Sequence, residues 1–204
     1  MNLSVSDVNQ LIRHRRTIKP ITKTGEPNYR DEPVEEEHIQ NLLDNANWAP
    51  THGLTEPWRF EVFQGPALDP LARLLFDLYA KHTSEDKFRP AKQQKLVDYV
   101  MNSPCVISLG MQRHEGKITA EEEVIAVACA VQNMHLTATA LGLGAFWSSS
   151  PIYDLSEMRQ YLRLRSDDRC LGMFFVGYPK HDWPARPGDQ PGSIKDKIHW
   201  RSNG

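Results

Sequence analysis

Apolar residues along the chain follow two spacings, one helical and one strand-like, and the two alternate from the amino terminus onward. Apolar positions three or four residues apart are typical of amphipathic helices, and short apolar runs bounded by glycine or proline are typical of buried strands. The helical spacing predicts helices around 8–12, 39–46, 66–82, 91–101, 124–141 and 154–162. The strand-like runs predict strands around 59–64, 104–111, 144–150 and 170–179.

Two of these helices carry recognisable end signals. Thr119 followed by Glu122 is a capping-box pattern, and it precedes the longest apolar helix. Gly142 is suited to end that helix, which is apolar on almost every side, so we expect it to be central and buried. Asp154 with Glu157 is expected to cap the last helix in the same way.

The composition is that of a globular chain and argues against several classes of partner. Its 204 residues, 40% hydrophobic and 25% charged, suit one domain over 1–204, although two small domains also fit this length. A net charge of −2 provides no general basic field, so we expect no nucleic-acid partner. The sequence contains no run of about 18 apolar residues, which is the length needed to span a membrane. Its amino terminus has no secretion-signal pattern.

Cysteine and histidine spacing argues against disulfide and metal sites. Cys105, Cys129 and Cys170 are far apart and form no CxxC pair, so we expect a reducing, cytoplasmic setting. The eight histidines show neither HxH nor HExxH spacing, so no metal site is predicted. His135, on the long apolar helix, is interpreted as a core or interface residue whose ring is hydrogen bonded.

The first candidate for binding chemistry is the basic segment HRRTIKP at the end of the first helix. Arg15 and Arg16 offer planar forks of donors that suit a phosphate. Thr17 adds a neutral hydroxyl, and Lys19 adds a point cation. The alternative is a solvated basic turn, which the dipole at a helix carboxyl end would favour.

Three later segments can likewise be interpreted either as part of a ligand site or as ordinary structure. LGLGAF, at 141–146, contains a GxG, but a dinucleotide fingerprint needs a strand before it and a helix after it, and here the order is reversed. FWSSSPI, at 146–152, either presents hydroxyl and N–H groups to a ligand at a sheet edge or forms an ordinary polar turn. His52 lies alone between two prolines in WAPTHGLTEPWRF, which is either a rigid connector or one wall of a binding site.

In this order, the segments resemble the nitroreductase-like flavoprotein family. The resemblance comprises RRT after the first helix, WAPTHGLTEPWRF, AVQNMHLTATALGLGAFW with SSSPI, and GMFFVGYP, and it runs from about Val5 to Pro179. It is stronger to the short, single-domain branch than to the larger enteric enzymes. It implies an α+β three-layer sandwich with a central, mostly antiparallel sheet flanked by helices. It also implies an intertwined homodimer with FMN sites at the subunit interface, to which the tail 180–204 is a candidate contributor.

The resemblance further implies which residues bind the cofactor. Arg15, Arg16 and Thr17 match the segment that holds the FMN phosphate and ribityl chain. Lys19 matches a cation near the N1–C2 carbonyl edge of the flavin, and His52 matches a loop residue contributed by the other subunit. The residues that match the segment meeting the isoalloxazine ring are Trp147, Ser148 and Ser149.

Two positions depart from the family pattern. Glu56 stands where glutamine is usual before Pro-Trp, which replaces a neutral donor by an acceptor. The tail has Pro-Gly at 191–192, where many members carry a Lys/Arg pair that reaches the phosphate. The phosphate here then depends on the two arginines of RRT, or borrows Arg186 or Arg201.

The implied activity is that of an FMN-dependent NAD(P)H oxidoreductase. NADH or NADPH would reduce the flavin at one open face, and an electron-poor acceptor such as a nitroaromatic or a quinone would then use the same face, which predicts ping-pong kinetics. No catalytic side chain is implied, because the hydride chemistry belongs to the cofactor. The alternatives are a non-redox flavin-binding or sensing module, a flavin enzyme with a different product, and a structural domain without cofactor.

Overall fold

The computed structural model describes residues 4–181 and 192–201. Within these residues, four strands form one antiparallel sheet in the order β1–β2–β4–β3. The strands span Trp58–Gln64 (β1), Cys105–Met111 (β2), Gly144–Ser148 (β3) and Arg169–Gly177 (β4). The helices span Val5–His14 (α1), Glu36–Asn47 (α2), Leu68–His82 (α3), Pro90–Met101 (α4), Ala120–Ala140 (α5) and Ser156–Tyr161 (α6).

Helices cover both faces of the sheet, because adjacent strand residues point to opposite sides. On β4, Phe175 packs with the apolar residues of α3 and α4, such as Leu75. The neighbouring Phe174 packs with those of α2 and α5, such as Leu42 and Met134. The predicted α+β sandwich, with a central antiparallel sheet between two helical layers, is therefore confirmed.

The predicted signals at the start and end of α5 are also confirmed. Thr119 accepts a hydrogen bond from the backbone N–H of Glu122, whose carboxylate accepts from the Thr119 N–H in return. Gly142 follows the helix with φ +72°, a left-handed conformation that glycine adopts without steric cost. At the amino terminus Ser4 makes the same kind of reciprocal cap with Asp7.

The prediction that Asp154 and Glu157 cap the last helix is wrong. Leu155 occupies the N-cap position of α6, and no side chain caps that end. Asp154 instead accepts hydrogen bonds from the Cys170 N–H, at 2.8 Å, and from Arg169, at 3.2 Å, so it anchors the start of β4. The Glu157 carboxylate is hydrogen bonded to Lys81 and His82 at the end of α3. Both carboxylates thus bind residues distant in sequence, and neither caps α6.

The prediction that α5 is buried on almost every side holds for only part of its surface. Its inner side packs on α2 and the sheet, but Ile125 is 61% exposed in the single chain. α1 likewise has no buried residue, and it exposes the apolar side chains of Val5, Val8 and Ile12. An apolar surface therefore remains on these two helices.

Candidate functional site

The basic segment that follows α1 lies along the edge strand β3. Thr17 forms a parallel bridge with Ala145, and the Ile18 N–H donates to the Ala145 carbonyl at 3.0 Å. Lys19 continues in the same direction, and its ammonium lies 5.5 Å from the centre of the Phe146 ring, a cation–π distance. Two predicted site segments far apart in the chain, 15–19 and 147–149, are thus brought to one sheet edge.

The two arginines of this segment have different environments. Arg16 donates from Nη1 to the carbonyls of Arg13 and Arg15, each at 2.6 Å, and so closes the end of α1. Arg15 is half-buried, and its guanidinium makes no hydrogen bond or ion pair with any residue that the structure describes. A guanidinium that is partly exposed and that no described residue binds is open to an anion approaching from solution. Arg15 is therefore the better candidate for holding an anionic group.

Beyond the basic segment, the end of β3 is held tightly. The Trp147 indole donates to the Leu171 carbonyl at 3.1 Å, which fixes the ring against β4. The Tyr153 hydroxyl lies 3.5 Å from Ser148 Oγ, and burial raises the pKa of Tyr153 to about 12, so this hydroxyl stays protonated. Ser149 is exposed at the surface. The strand end could therefore offer a ligand its backbone groups and the exposed hydroxyl of Ser149, which no described residue binds.

His135 belongs to the same neighbourhood, although the sequence did not single it out as a binding residue. Its ring packs edge-on against Phe174, with centres 4.8 Å apart. Burial, and then the nearby charge of Arg15, lower the pKa of His135 to about 4, so the imidazole is neutral. Its Nδ1 is buried and has no hydrogen-bond partner among the described residues. The interpretation as a buried residue is confirmed, and no described residue of the single chain supplies the hydrogen bond that was expected for the ring.

A cleft of about 400 Å³ opens beside the basic segment. Its lining includes Thr17, Lys19, Lys23, Lys95 and Tyr99, and no carboxylate of the described residues contributes to it. Three ammonium groups without a balancing acid give the cleft a positive potential. The cleft is therefore suited to a planar or anionic group next to β3.

The His52 loop has an unusual backbone. A short 3₁₀ turn spans His52–Leu54. Gly53 and Leu54 within it, and Glu56 after it, all have positive φ, at +60°, +51° and +44°. For Leu54 and Glu56 this conformation is strained, and such strain is often found at functional loops. Of the two flanking tryptophans, Trp58 is buried in the core, whereas Trp48 is 85% exposed.

The imidazole of His52 is held by a carboxylate. Its Nδ1 lies 2.5 Å from Glu122 Oε1, while two thirds of its side chain is exposed. The hydrogen bond from His52, and then that from the Thr119 N–H, hold the pKa of Glu122 below its usual value. With Nδ1 engaged, Nε2 is the ring nitrogen left to meet a ligand.

A buried ion cluster lies beneath this loop. Glu123 is fully buried, and its carboxylate accepts from Arg113 Nη1 at 2.6 Å and from the N–H and Nδ1 of His114, both at 2.9 Å. Arg113 also donates to the Ile118 carbonyl at 2.9 Å. The cluster ties the loop after β2 to the first turn of α5, and so positions the Glu122 that holds His52.

Within one chain, His52 cannot join the basic segment. It precedes β1, at one edge of the sheet, whereas Thr17 pairs with β3, at the other edge. Three strand spacings separate these edges, or about 14 Å across the sheet alone. The two segments also lie at opposite ends of the strands, since Ala145 aligns with Gln64 at the far end of β1. A site containing both would need two chains.

The described residues provide neither a metal-binding cluster nor a helix that could span a membrane. In residues 4–181 and 192–201, no group of three or more histidine, cysteine or acidic side chains could hold a metal ion. In the same part of the chain, no helix has the length and apolar content needed to cross a membrane. Of the two tail arginines considered as phosphate ligands, Arg186 lies outside the described residues, and Arg201 is exposed.

Comparison with known proteins gives consistent similarities. The family model described as "Nitroreductase family" matches residues 12–178. "Putative NAD(P)H nitroreductase YfhC" of Bacillus subtilis is 26% identical over 85% of this chain and 85% of its own. The crystal structure of a nitroreductase-like family protein from Bacillus cereus has 25% identity and a TM-score of 0.77, with both chains fully covered.

A further solved structure extends the similarity in fold. The FMN-dependent nitroreductase NfnB from Mycobacterium smegmatis, in complex with NADPH, has a TM-score of 0.73 over 97% of this chain and 99% of its own. Its 18% identity supports the fold alone. Together with a family model that covers most of the sequence, the arrangement of β3, the basic segment and the His52 loop leads to one conclusion. The chain belongs to the nitroreductase family.

Proposed function

We propose that the protein is an FMN-dependent NAD(P)H oxidoreductase that passes electrons to an electron-poor organic acceptor, such as a nitroaromatic or a quinone. The observation that carries the proposal is the position of the basic segment along the edge strand β3, together with an Arg15 guanidinium that no described residue binds. Family membership supports it, as do the relative named as an NAD(P)H nitroreductase and the FMN-dependent neighbour with NADPH. The acceptor class comes from the resemblance in the sequence.

The residues at this edge of the sheet fit FMN. Arg15 supplies a positive charge that no described carboxylate neutralises, as a phosphate requires. Thr17 has an exposed side chain that suits a ribityl hydroxyl, and Lys19 borders the positively charged cleft. We assign Arg15, Arg16 and Thr17 to the phosphate and ribityl chain, and Lys19 to the carbonyl edge of the ring. The ring itself would meet Trp147, Ser148 and Ser149.

These residues bind and orient rather than react. When bound, FMN supplies the redox chemistry, accepting hydride from NADH or NADPH and passing electrons to the acceptor. Lys19 contributes positive charge where negative charge would develop during reduction. The donor and the acceptor would enter the same cleft in turn, so we expect ping-pong kinetics. Because NADH and NADPH are intracellular reductants, we also propose that the protein is located in the cytoplasm.

The site is proposed to be shared between two copies of the chain in a homodimer. The strained His52 loop and the basic segment are too far apart to meet within one chain, but a partner could bring them together. The exposed apolar residues of α1 and α5, including Ile12 and Ile125, offer a surface for that partner. His52 would then contribute Nε2 to the cofactor held by the other subunit.

The first prediction is that the purified protein is yellow and responds to reduced nicotinamide. We expect an absorbance spectrum of oxidised flavin, bleaching by NADH or NADPH without oxygen, and recovery on addition of a nitroaromatic or a quinone. The measurement is an anaerobic absorbance titration, with heat-denatured protein plus free FMN as the control. A flavin that binds but is never bleached would instead support a non-redox binding or sensing module.

The second prediction tests the shared site with two single variants. Arg15→Ala should weaken FMN binding by about tenfold or more, because a charge-assisted hydrogen bond is lost, and His52→Ala should weaken it as well. A heterodimer of the two variants, isolated through different tags, would contain one site with both residues and one site with neither. We therefore expect it to bind one FMN with wild-type affinity.

The control for this experiment is a dimer rebuilt from two differently tagged wild-type subunits, which should bind two FMN molecules. If Arg15 and His52 belonged to one site within the same chain, each site of the heterodimer would lack one of them. A heterodimer that binds FMN as weakly as the two parent homodimers would therefore contradict the shared site.

A further inference from the structure

His135 combines deep burial with an unsatisfied polar atom. Only 8% of the residue is exposed, yet its Nδ1 has no hydrogen-bond partner among the residues that the structure describes. Buried polar atoms of folded proteins are almost always paired, because desolvation without a partner is unfavourable. An exception of this kind calls for a partner from outside the described residues of the single chain.

The surroundings of His135 indicate where that partner would lie. The ring stands against Phe174, and Phe174 is the register partner of Trp147 on β3. On the α1 side, the guanidinium of Arg15 is close enough to influence the imidazole electrostatically. His135 thus lies near Arg15 of the basic segment and packs against the β4 residue that pairs with Trp147 of β3.

The neighbouring Arg15 indicates the chemical class of the partner that the His135 Nδ1 lacks. A water molecule could satisfy the Nδ1 but would not use the planar fork of donors that Arg15 offers beside it. Among the described residues, no carboxylate pairs with Arg15. An anion with several acceptor oxygens would satisfy both groups at once, and a phosphate matches the fork of an arginine together with one further N–H donor.

We propose that His135 is an additional ligand of the cofactor, and that its Nδ1–H donates a hydrogen bond to the FMN phosphate held by Arg15. The inference rests on the proposed function, since it assigns a residue to the same site. The imidazole acts as a neutral donor, because its burial and the adjacent guanidinium disfavour protonation, and Arg15 supplies the charge. His135 has a binding role here, and the redox chemistry does not involve it.

The experiment compares FMN with riboflavin, which has the same ring and ribityl chain but no phosphate. Apoprotein of the wild type and of His135→Leu is titrated with each flavin, and binding is followed by the quenching of flavin fluorescence. We expect His135→Leu to bind FMN about ten- to a hundredfold more weakly, as for the loss of a hydrogen bond to a charged group. Its affinity for riboflavin should match that of the wild type.

Two further variants test the identity of the donor atom. Asparagine can place an amide N–H near the position of Nδ1, whereas glutamine places it near Nε2. We therefore expect His135→Asn to retain more FMN affinity than His135→Gln, with equal riboflavin affinity for both. The apoprotein of His135→Leu should unfold at a temperature no lower than that of the wild type, because an unpaired buried atom has been replaced by an apolar side chain.

The possible outcomes separate this inference from the proposed function. A wild type that binds no FMN would overturn both. A wild type that binds FMN, with a His135→Leu variant of equal FMN affinity, would overturn the inference alone. Equal losses for FMN and riboflavin would place the contact away from the phosphate and would also overturn it. If His135→Leu does not fold, equal FMN affinities of the asparagine and glutamine variants would have the same consequence.

Discussion

Replacing Glu123 by alanine is expected to lower the free energy of unfolding by about 3–5 kcal/mol, the usual effect of removing one partner from a buried ion pair. The carboxylate is fully buried and accepts from Arg113 and from two N–H groups of His114. Without it, the largely buried Arg113 guanidinium loses its ion-pair partner, and two N–H groups of His114 lose their acceptor. For a chain of this length, the midpoint of thermal unfolding should fall by roughly 6–20 °C.

The chain provides a matched control for this change in the same helical turn. Glu121 is also in the first turn of α5, but it is exposed. Glu121→Ala should therefore cost about 0.5 kcal/mol or less, as for an ordinary surface substitution. Both variants are measured by circular dichroism on heating. Equal unfolding midpoints would show that the buried cluster contributes no stability beyond that of a solvated helix end.

Replacing Gly172 by alanine is expected to destabilise the protein by about 3 kcal/mol or more, through backbone strain and overpacking together. Gly172 has φ +144°, and an added Cβ would lie 2.3 Å from the Ser148 carbonyl oxygen and 2.6 Å from the Trp147 indole nitrogen. The carbonyl is backbone, so β3 itself would have to move. Because β3 carries the proposed flavin segment, FMN affinity should fall along with the unfolding midpoint.

Gly25→Ala separates the two causes of this effect. Gly25 also has a positive φ, of +94°, but nothing lies within 4 Å of an added Cβ. The Gly25→Ala variant therefore measures backbone strain without a steric clash. We expect it to lower the free energy of unfolding by about 1–3 kcal/mol and to leave FMN affinity unchanged. If Gly172→Ala had the stability and the FMN affinity of Gly25→Ala, then the close approach of β4 to Trp147 and Ser148 would have no role in shaping the site.

Most elements of the fold could be predicted from local patterns, but the cap of the last helix could not. The capping box at Thr119 and the glycine after α5 were recognisable because their partners are within four residues. The expected cap at Asp154 used the same reasoning and was wrong. Its carboxylate binds the Cys170 N–H, sixteen positions away, and a local pattern contains no information about such a partner.

The candidate site shows the same limit. The basic segment and the segment around Trp147 were identified by their donor chemistry and by resemblance, and the fold places both at the edge of β3. Their roles toward FMN stay predictions. His135 was interpreted as a paired core or interface residue, as a lone histidine on an apolar helix usually is, and only the tertiary structure shows that its Nδ1 has no partner among the described residues.

The sequence by itself determined where helices and strands form, how most of them end, and which residues carry phosphate-binding donors, because these properties depend on side-chain type and on near neighbours. The tertiary structure alone decided which of three consecutive glutamates is buried, which of two arginines has no partner among the described residues, and that His52 lies across the sheet from Thr17. Burial and pairing of this kind arise from contacts between distant parts of the chain. Adjacent residues with the same chemistry therefore acquire opposite roles once the sheet and helices have packed.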